Sequence, residues 1–136
     1  MKNNLTYYQH YVNSHAHWKF KLLRSKLGWE GEGRFWALNN MIGDSENCIL
    51  KLNKKPLKAS VITDLGMTEK EFDEFLKILS QECELIIWLD GSITTEIVRE
   101  NLKKVMKERD AARIRKLKNK SHYENETPLF NISAKN

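Results

Sequence analysis

Residues 56–93 carry an ordered series of helix and strand punctuation that few folds accommodate. Leu57, Val61 and Leu65 recur at helical spacing, and Gly66 follows where a helix C-terminus calls for a residue able to take positive φ. Thr68 and Glu71 stand at capping-box spacing, each able to satisfy an orphan backbone donor. Phe72, Phe75, Leu76 and Leu79 supply an apolar stripe for a second helix over residues 69–81. Leu85, Ile86, Ile87, Trp88 and Leu89 then lead into Asp90-Gly91, a pair suited to the type I′ turn of a tight hairpin, with Ser92, Ile93 and Thr94 beyond it. Helix, tight turn, helix and hairpin in that order predict a winged helix-turn-helix. The fold class is mainly α with a small antiparallel β wing, most often a nucleic-acid-binding module and sometimes a protein-binding one.

The flanks extend this core. In residues 17–27, Phe20, Leu23 and Leu27, with Trp18 and Leu22 beside them, predict an amphipathic helix ended by Gly28. A second helix over residues 31–42 has Phe35, Leu38 and Ile42 in register, Trp36 and Met41 flanking, and Gly43 just past its end. Residues 48–52 form a short strand able to join the hairpin in a three-stranded sheet. Pro56 suits the first position of the helix that follows, where its missing donor costs nothing. After the wing, Thr95 caps a long helix, from which Ile97, Val98, Leu102, Val105 and Met106 return to the core. Ahead of all this, the aromatic run Tyr7, Tyr8, His10 and Tyr11 reads as an extended lead-in. The expected organisation is one winged-helix domain over residues 1–107, a basic helical extension over 108–120 and a disordered tail over 121–136.

Charge is distributed unevenly over the 136 residues, whose net charge is +5. Residues 1–29 hold five basic side chains and no acid, residues 30–98 hold seven basic and thirteen acidic, and residues 99–120 hold ten basic and three acidic. An acidic middle between basic ends directs any polyanion contact to the flanks. Lys103, Lys104, Lys107, Arg109, Arg113, Arg115 and Lys116 lie on a helix with too few apolar residues to be core, so DNA phosphates are their expected partners. Lys19, Lys21 and Arg24 extend that surface if the first helix lies beside the last. The helix over residues 69–81 shows Lys70, Asp73, Glu74 and Lys77 to solvent, with acids that repel phosphate, so a protein-facing or merely structural role suits it better than base reading. The wing tip offers only Asp90, Gly91 and Ser92.

Other chemistries find little support. No apolar run approaches the roughly 18 residues of a membrane span, and the opening residues lack the apolar core of a secretory signal, so the expected location is cytoplasmic. Cys48 and Cys83 form no C-x-x-C pair and sit in apolar surroundings, as reduced buried thiols do. His10, His15 and His17 lack a nearby Cys or carboxylate to complete a zinc set, so no metal is expected. Gly28, Gly31 and Gly33 match neither a dinucleotide fingerprint nor a P-loop. Trp18 and Trp36 are expected in the core, while Trp29, between helices, is open to a stacking role. No nucleophile has a base near it, so neither an enzyme nor a cofactor is expected.

The segment 7–38 resembles the N-terminal winged-helix domain of phage-type and mobile-element replication proteins, related to the DnaD-like replisome organisers. That family opens Y-F-x-H-D-x-x-A-x-x-D-x-K-I-x-x-L and continues G-x-E-G-x-G-x-Y-x-x-L. The pattern falls without gaps on Tyr7, Tyr8, His10, Lys19, Phe20, Leu23, Gly28, Glu30, Gly31, Gly33, Phe35 and Leu38. The family's two aspartates are replaced by Tyr11 and His17 and its alanine by Ser14, so no role of those acids carries over. Continued into the helix-turn-helix and wing, the resemblance spans about residues 7–100. It implies a non-enzymatic accessory DNA-binding protein of phage or mobile-element replication. The competing expectations are a module that self-associates or recruits a replication protein, and a transcriptional regulator, which would need a dimer and a palindromic site.

Overall fold

A computed structural model describes residues 4–9 and 12–130, side chains excepted at 12–13 and 121–130. His10 and Tyr11 of the lead-in, and the tail from residue 131, lie outside the described residues. The chain divides into two units, Met1–Leu102 and Lys103–Asn136, a division earlier than the expected departure near Lys107.

The first unit is mainly helical, with a small three-stranded antiparallel sheet. Helix α1 (Trp18–Asp44) contains the two predicted helices joined through Gly28, whose φ of 69° and ψ of −172° break the helical path. That conformation is essentially restricted to glycine, because any Cβ collides with its own backbone there. Gly31, one turn later, is needed for a different reason: a Cβ on it would run into the Leu27 side chain. Gly43 does not lie past the helix end as expected. It is buried inside the last turn, where its carbonyl accepts from the Leu5 amide at 2.8 Å and draws the N-terminal segment onto the helix. Leu5 is buried there, and Tyr8 stacks on Trp36 with its hydroxyl donating to Asn40 Oδ1 at 3.0 Å.

Helix α2 (Lys55–Leu65) ends in a Schellman motif. Gly66, left-handed at φ 66°, donates to the Thr63 carbonyl, and Met67 donates to that of Ile62. Val61 and Leu65 are buried, but Leu57 is exposed, because the helix reaches the core only after its first turn. Helix α3 (Glu69–Lys77) begins with the predicted capping box: Thr68 Oγ1 accepts from the Glu71 amide at 3.1 Å and Glu71 Oε1 accepts from the Thr68 amide at 2.8 Å. The expected helix to residue 81 stops short. A π-helical turn over Ile78–Glu82 replaces its end, with the Cys83 amide donating to the Ile78 carbonyl, and the wider turn buries Leu79 and Cys83.

The sheet has the order β1-β3-β2, from β1 (Leu50–Lys51), β2 (Ile87–Trp88) and β3 (Ser92–Thr94). Trp88 pairs with Ile93 across the hairpin and Leu50 pairs with Ile93 on the other side. Asp90 (φ 52°) and Gly91 (φ 78°) both take positive φ, as a type I′ turn requires. Strand β1 is shorter than the expected 48–52, because Asn47 and Cys48 adopt positive φ and close a turn before it.

The core is centred on Phe35, Leu38, Ile42, Phe72, Leu79, Ile93 and Val98, with Phe20 packed edge-on to Phe35 and stacked on Trp36 at a centroid distance of 5.3 Å. Each such side chain withdrawn from water contributes about 1.5–3 kcal/mol. Cys48 and Cys83 are buried free thiols, and burial pushes both upward in pKa.

Helix α4 (Glu96–Phe130) begins in the first unit. Thr95 caps it as predicted, its Oγ1 accepting from the Val98 amide at 3.3 Å. The same hydroxyl donates to Asn39 Oδ1 at 2.6 Å, and Asn39 in turn donates to the Phe35 carbonyl. Asn39 is fully buried, so this pair ties the middle of α1 to the start of α4 through the core. Of the residues expected to return to the core, Val98 is fully buried while Met106 is exposed. The backbone stays helical to Phe130, past the point where a disordered tail from residue 121 was expected.

Candidate nucleic-acid interface

Three surfaces were singled out by sequence, and their surroundings differ sharply. In the second unit, Lys103, Lys104, Lys107, Arg109, Arg113, Arg115 and Lys116 are all exposed on α4, together with Lys118 and Lys120. Glu108 and Asp110 are the acids among residues 103–120, against nine basic side chains. Arg113 leans on Asp110 at 3.3 Å, an exposed pair worth at most about 1 kcal/mol. Lys103, Lys107, Arg109, Arg115, Lys116, Lys118 and Lys120 carry no hydrogen bond or ion pair among the described residues. Spacings of four, three and four residues align Arg109, Arg113, Lys116 and Lys120 along one side of the helix over roughly 16 Å. A straight row of exposed cations on a rod, in which only Arg113 has an acidic partner among the described residues, is well shaped for a phosphate backbone.

The cations of α1 are placed otherwise. Lys19 Nζ donates to the Glu84 carbonyl at 3.0 Å. Arg24 Nη1 meets Glu32 Oε1 at 2.6 Å, with side chains only 17% and 15% exposed, while Nη2 donates to the His15 carbonyl. Its guanidinium also lies over the Trp29 ring, 4.9 Å from the centroid. Lys26 pairs with Glu82 at 2.8 Å. Lys21 alone of this expected set is exposed and without a hydrogen bond or ion pair among the described residues. The first-helix cations therefore hold the first unit together before they can serve a ligand.

On α3, Lys70, Asp73, Glu74 and Lys77 are exposed as expected, although Asp73 is taken up by Lys58 of α2 at 2.8 Å. Gln81 lies in the π-helical turn. Between α1 and α3 an open groove of roughly 330 Å³ has Leu27, Met67, Phe75 and Ile78 along it and Glu30, Glu71 and Glu74 at its edges. Arg34, the cation at that groove, is held by Glu30 and by the Leu65 and Gly66 carbonyls. Bonds from the Thr68 backbone and hydroxyl hold Glu71 below the usual carboxylate range, which keeps the negative charge in place. Seating α3 in a major groove would bring these carboxylates toward phosphates, so the α3 face lacks the electrostatics of a DNA-reading surface.

His17 and His15 serve structure. His17 Nδ1 accepts from the Lys19 amide as the N-cap of α1, its ring lies beside Trp18 and Phe20, and the His15 carbonyl receives Arg24. Among the described residues, no three His, Cys, Asp or Glu side chains converge on a point a metal could occupy. Trp36 packs in the aromatic cluster, but Trp18, expected in the core, is 51% exposed, because Phe20 and Leu23 take the inward positions of that turn. Trp29 is 73% exposed. Sequence periodicity missed the buried Asn39–Thr95 pair altogether, since an Asn on an apolar face is indistinguishable from a surface Asn until its partner is known. Among the described residues, no helix is long and apolar enough to cross a membrane. No protein family matches the chain, and neither curated proteins nor solved structures provide a match.

Proposed function

We propose that this protein is a winged-helix DNA-binding accessory factor that grips the phosphate backbone through the basic part of α4. The observation that carries this reading is the set of exposed cations over residues 103–120, of which Lys103, Lys107, Arg109, Arg115, Lys116, Lys118 and Lys120 carry no hydrogen bond or ion pair among the described residues. The order α2, turn, α3 and type I′ hairpin supports a winged helix in the first unit. Its acidic α3 face and Asp90-Gly91 tip argue that this unit does not read bases. Contact of this kind is sequence-tolerant, since phosphates position a protein without specifying a site. Together with the resemblance of residues 7–100 to replication-protein domains, it fits a role in phage or mobile-element replication, in which DNA is held wherever the machinery assembles.

The test is a salt series on mixed-sequence duplex with the full chain and with Lys103, Lys107, Arg109, Arg115 and Lys116 replaced by Ala. If all five meet phosphates, the slope of log affinity against log salt flattens by about 4.5. An unchanged slope and affinity rejects the reading.

A second reading rests on the α3 surface, where Lys70 and Lys77 are exposed and Glu74 lines a groove shared with Leu27, Met67, Phe75, Ile78, Glu30 and Glu71. That chemistry suits a protein partner or a second copy of the chain. Light scattering tests self-association, and a strict monomer at high concentration removes that form of it.

A further inference from the structure

Trp29 is the most exposed of the tryptophans, 73% open to solvent, yet its position is tightly defined. It follows Gly28, whose φ of 69° and ψ of −172° turn the chain there. One face of its indole is covered by the Arg24 guanidinium, 4.9 Å from the ring centroid. Arg24 is itself immobilised by Glu32 and by the His15 carbonyl, and its side chain is largely buried. The opposite face of the indole is therefore presented to solvent by a support that cannot easily move. A fixed aromatic ring backed by a cation is an unusual use of an exposed tryptophan in a fold whose core needs none there.

The surroundings select the occupant. Residues 1–29 contain no acidic side chain; just beyond them Glu30, beside Trp29, pairs with Arg34, and Glu32 is taken up by Arg24. Lys21 stands one helical turn before Arg24, exposed and free of ion pairs among the described residues. One further turn back, Trp18 is 51% exposed, with Lys19 Nζ 5.8 Å from its ring centroid and the His17 ring beside it. Trp18, Lys21 and Arg24 thus follow one another at three-residue spacing along α1, and the Arg24 contact carries the series to Trp29 beyond the break at Gly28. Apolar ligands and acidic peptides each match one half of that pattern, whereas an unpaired nucleotide matches both, its base meeting an indole and its phosphate a cation.

We infer that the outer side of α1 is a single-strand nucleic-acid site in which Trp29 stacks on an unpaired base, with Trp18 as a second platform and Lys21 on the intervening phosphate. This site uses none of the second unit's cations and stands whether or not the duplex contact proposed above is correct. Duplex DNA has its bases stacked on each other, so the site discriminates strand state rather than sequence.

The experiment measures binding of the full chain to an oligothymidine and to a mixed-sequence duplex by fluorescence anisotropy, at a salt concentration where duplex binding is lost. Native protein retains oligothymidine binding there. Trp29→Phe keeps it within about threefold because a ring remains, whereas Trp29→Leu, apolar but unable to stack, weakens it roughly tenfold. Duplex affinity at low salt changes less than about twofold in both variants. Loss of oligothymidine binding by the native chain at that salt, or equal affinities for Trp29→Phe and Trp29→Leu, overturns the inference. Failure of the five-alanine variant of α4 to alter duplex binding rejects only the earlier reading.

Discussion

The cations of α1 and those of the second unit look alike in sequence and have opposite surroundings. Lys19, Arg24 and Lys26 are engaged by the Glu84 carbonyl, Glu32 and Glu82, and Arg24 additionally by a carbonyl and an indole. Lys103, Lys107, Arg109, Arg115 and Lys116 carry no hydrogen bond or ion pair among the described residues. A positive side chain attracts a polyanion only to the extent that its charge is uncompensated. Acids of the middle of the sequence compensate Arg24 and Lys26, whereas Lys19 is held by a main-chain carbonyl. Counting basic residues along the chain therefore overstates the first helix as a phosphate-binding surface and not the second unit.

The largest effect expected from this contrast is on DNA. Alanine at the five second-unit positions lowers duplex affinity at low salt by orders of magnitude, while Lys19→Ala changes it less than about threefold; electrophoretic or anisotropy titrations separate the two. Equal losses would erase the distinction.

Next comes the stability of the first unit. Arg24→Ala leaves Glu32 partly buried without its partner and removes the tie to His15, at a cost of about 2–3 kcal/mol in denaturant unfolding. Arg24→Lys recovers little of it, because an ammonium cannot bridge two acceptors in the planar geometry of a guanidinium. The same substitution in the second unit, Arg113→Ala, shifts stability by less than about 1 kcal/mol.

The three closely spaced glycines sharpen the point for the backbone. Gly28→Ala costs about 1–3 kcal/mol through its φ/ψ alone, since nothing lies within 4 Å of the added Cβ. Gly33→Ala, helical and equally open, stabilises by about 0.5–1 kcal/mol. Thermal melts of both variants would show opposite signs, and matching signs would refute the assignment of Gly28 as the break.

The smallest effect is one of pH. Hydrogen bonds from Thr68 depress Glu71 in the folded state, so its contribution is present above the normal carboxylate range and is lost as pH falls through the depressed value. Glu71→Gln removes that contribution, and its stability therefore declines less on acidification than that of the native chain. Parallel acid-unfolding curves would show that the capping box adds nothing.

Much of the first unit was legible because its signals are local. Gly28, Gly66, the Thr68–Glu71 box, Asp90-Gly91 and the Thr95 cap each act within a few residues, and each took the conformation its chemistry predicts. The errors arose where an outcome depends on distant neighbours. Trp18 lies on the outward side of a turn whose Phe20 is buried, Leu57 lies on a first turn that does not reach the core, and Gly43 falls inside α1 where the Leu5 segment, 38 residues earlier, covers it. The π-helical turn after α3, which buries Leu79 and Cys83, carries no sequence punctuation.

Sequence by itself determined the end of α2, the starts of α3 and α4 and the hairpin turn, because capping and glycine conformation are properties of adjacent residues. It also determined the charge of each segment. Tertiary structure decided which of those charges remain free, which tryptophans face water, and that Asn39 meets Thr95 in the core. Those outcomes depend on pairs up to 65 residues apart, such as Lys19 with Glu84, and no local pattern encodes the approach of two groups that only the folded chain brings together.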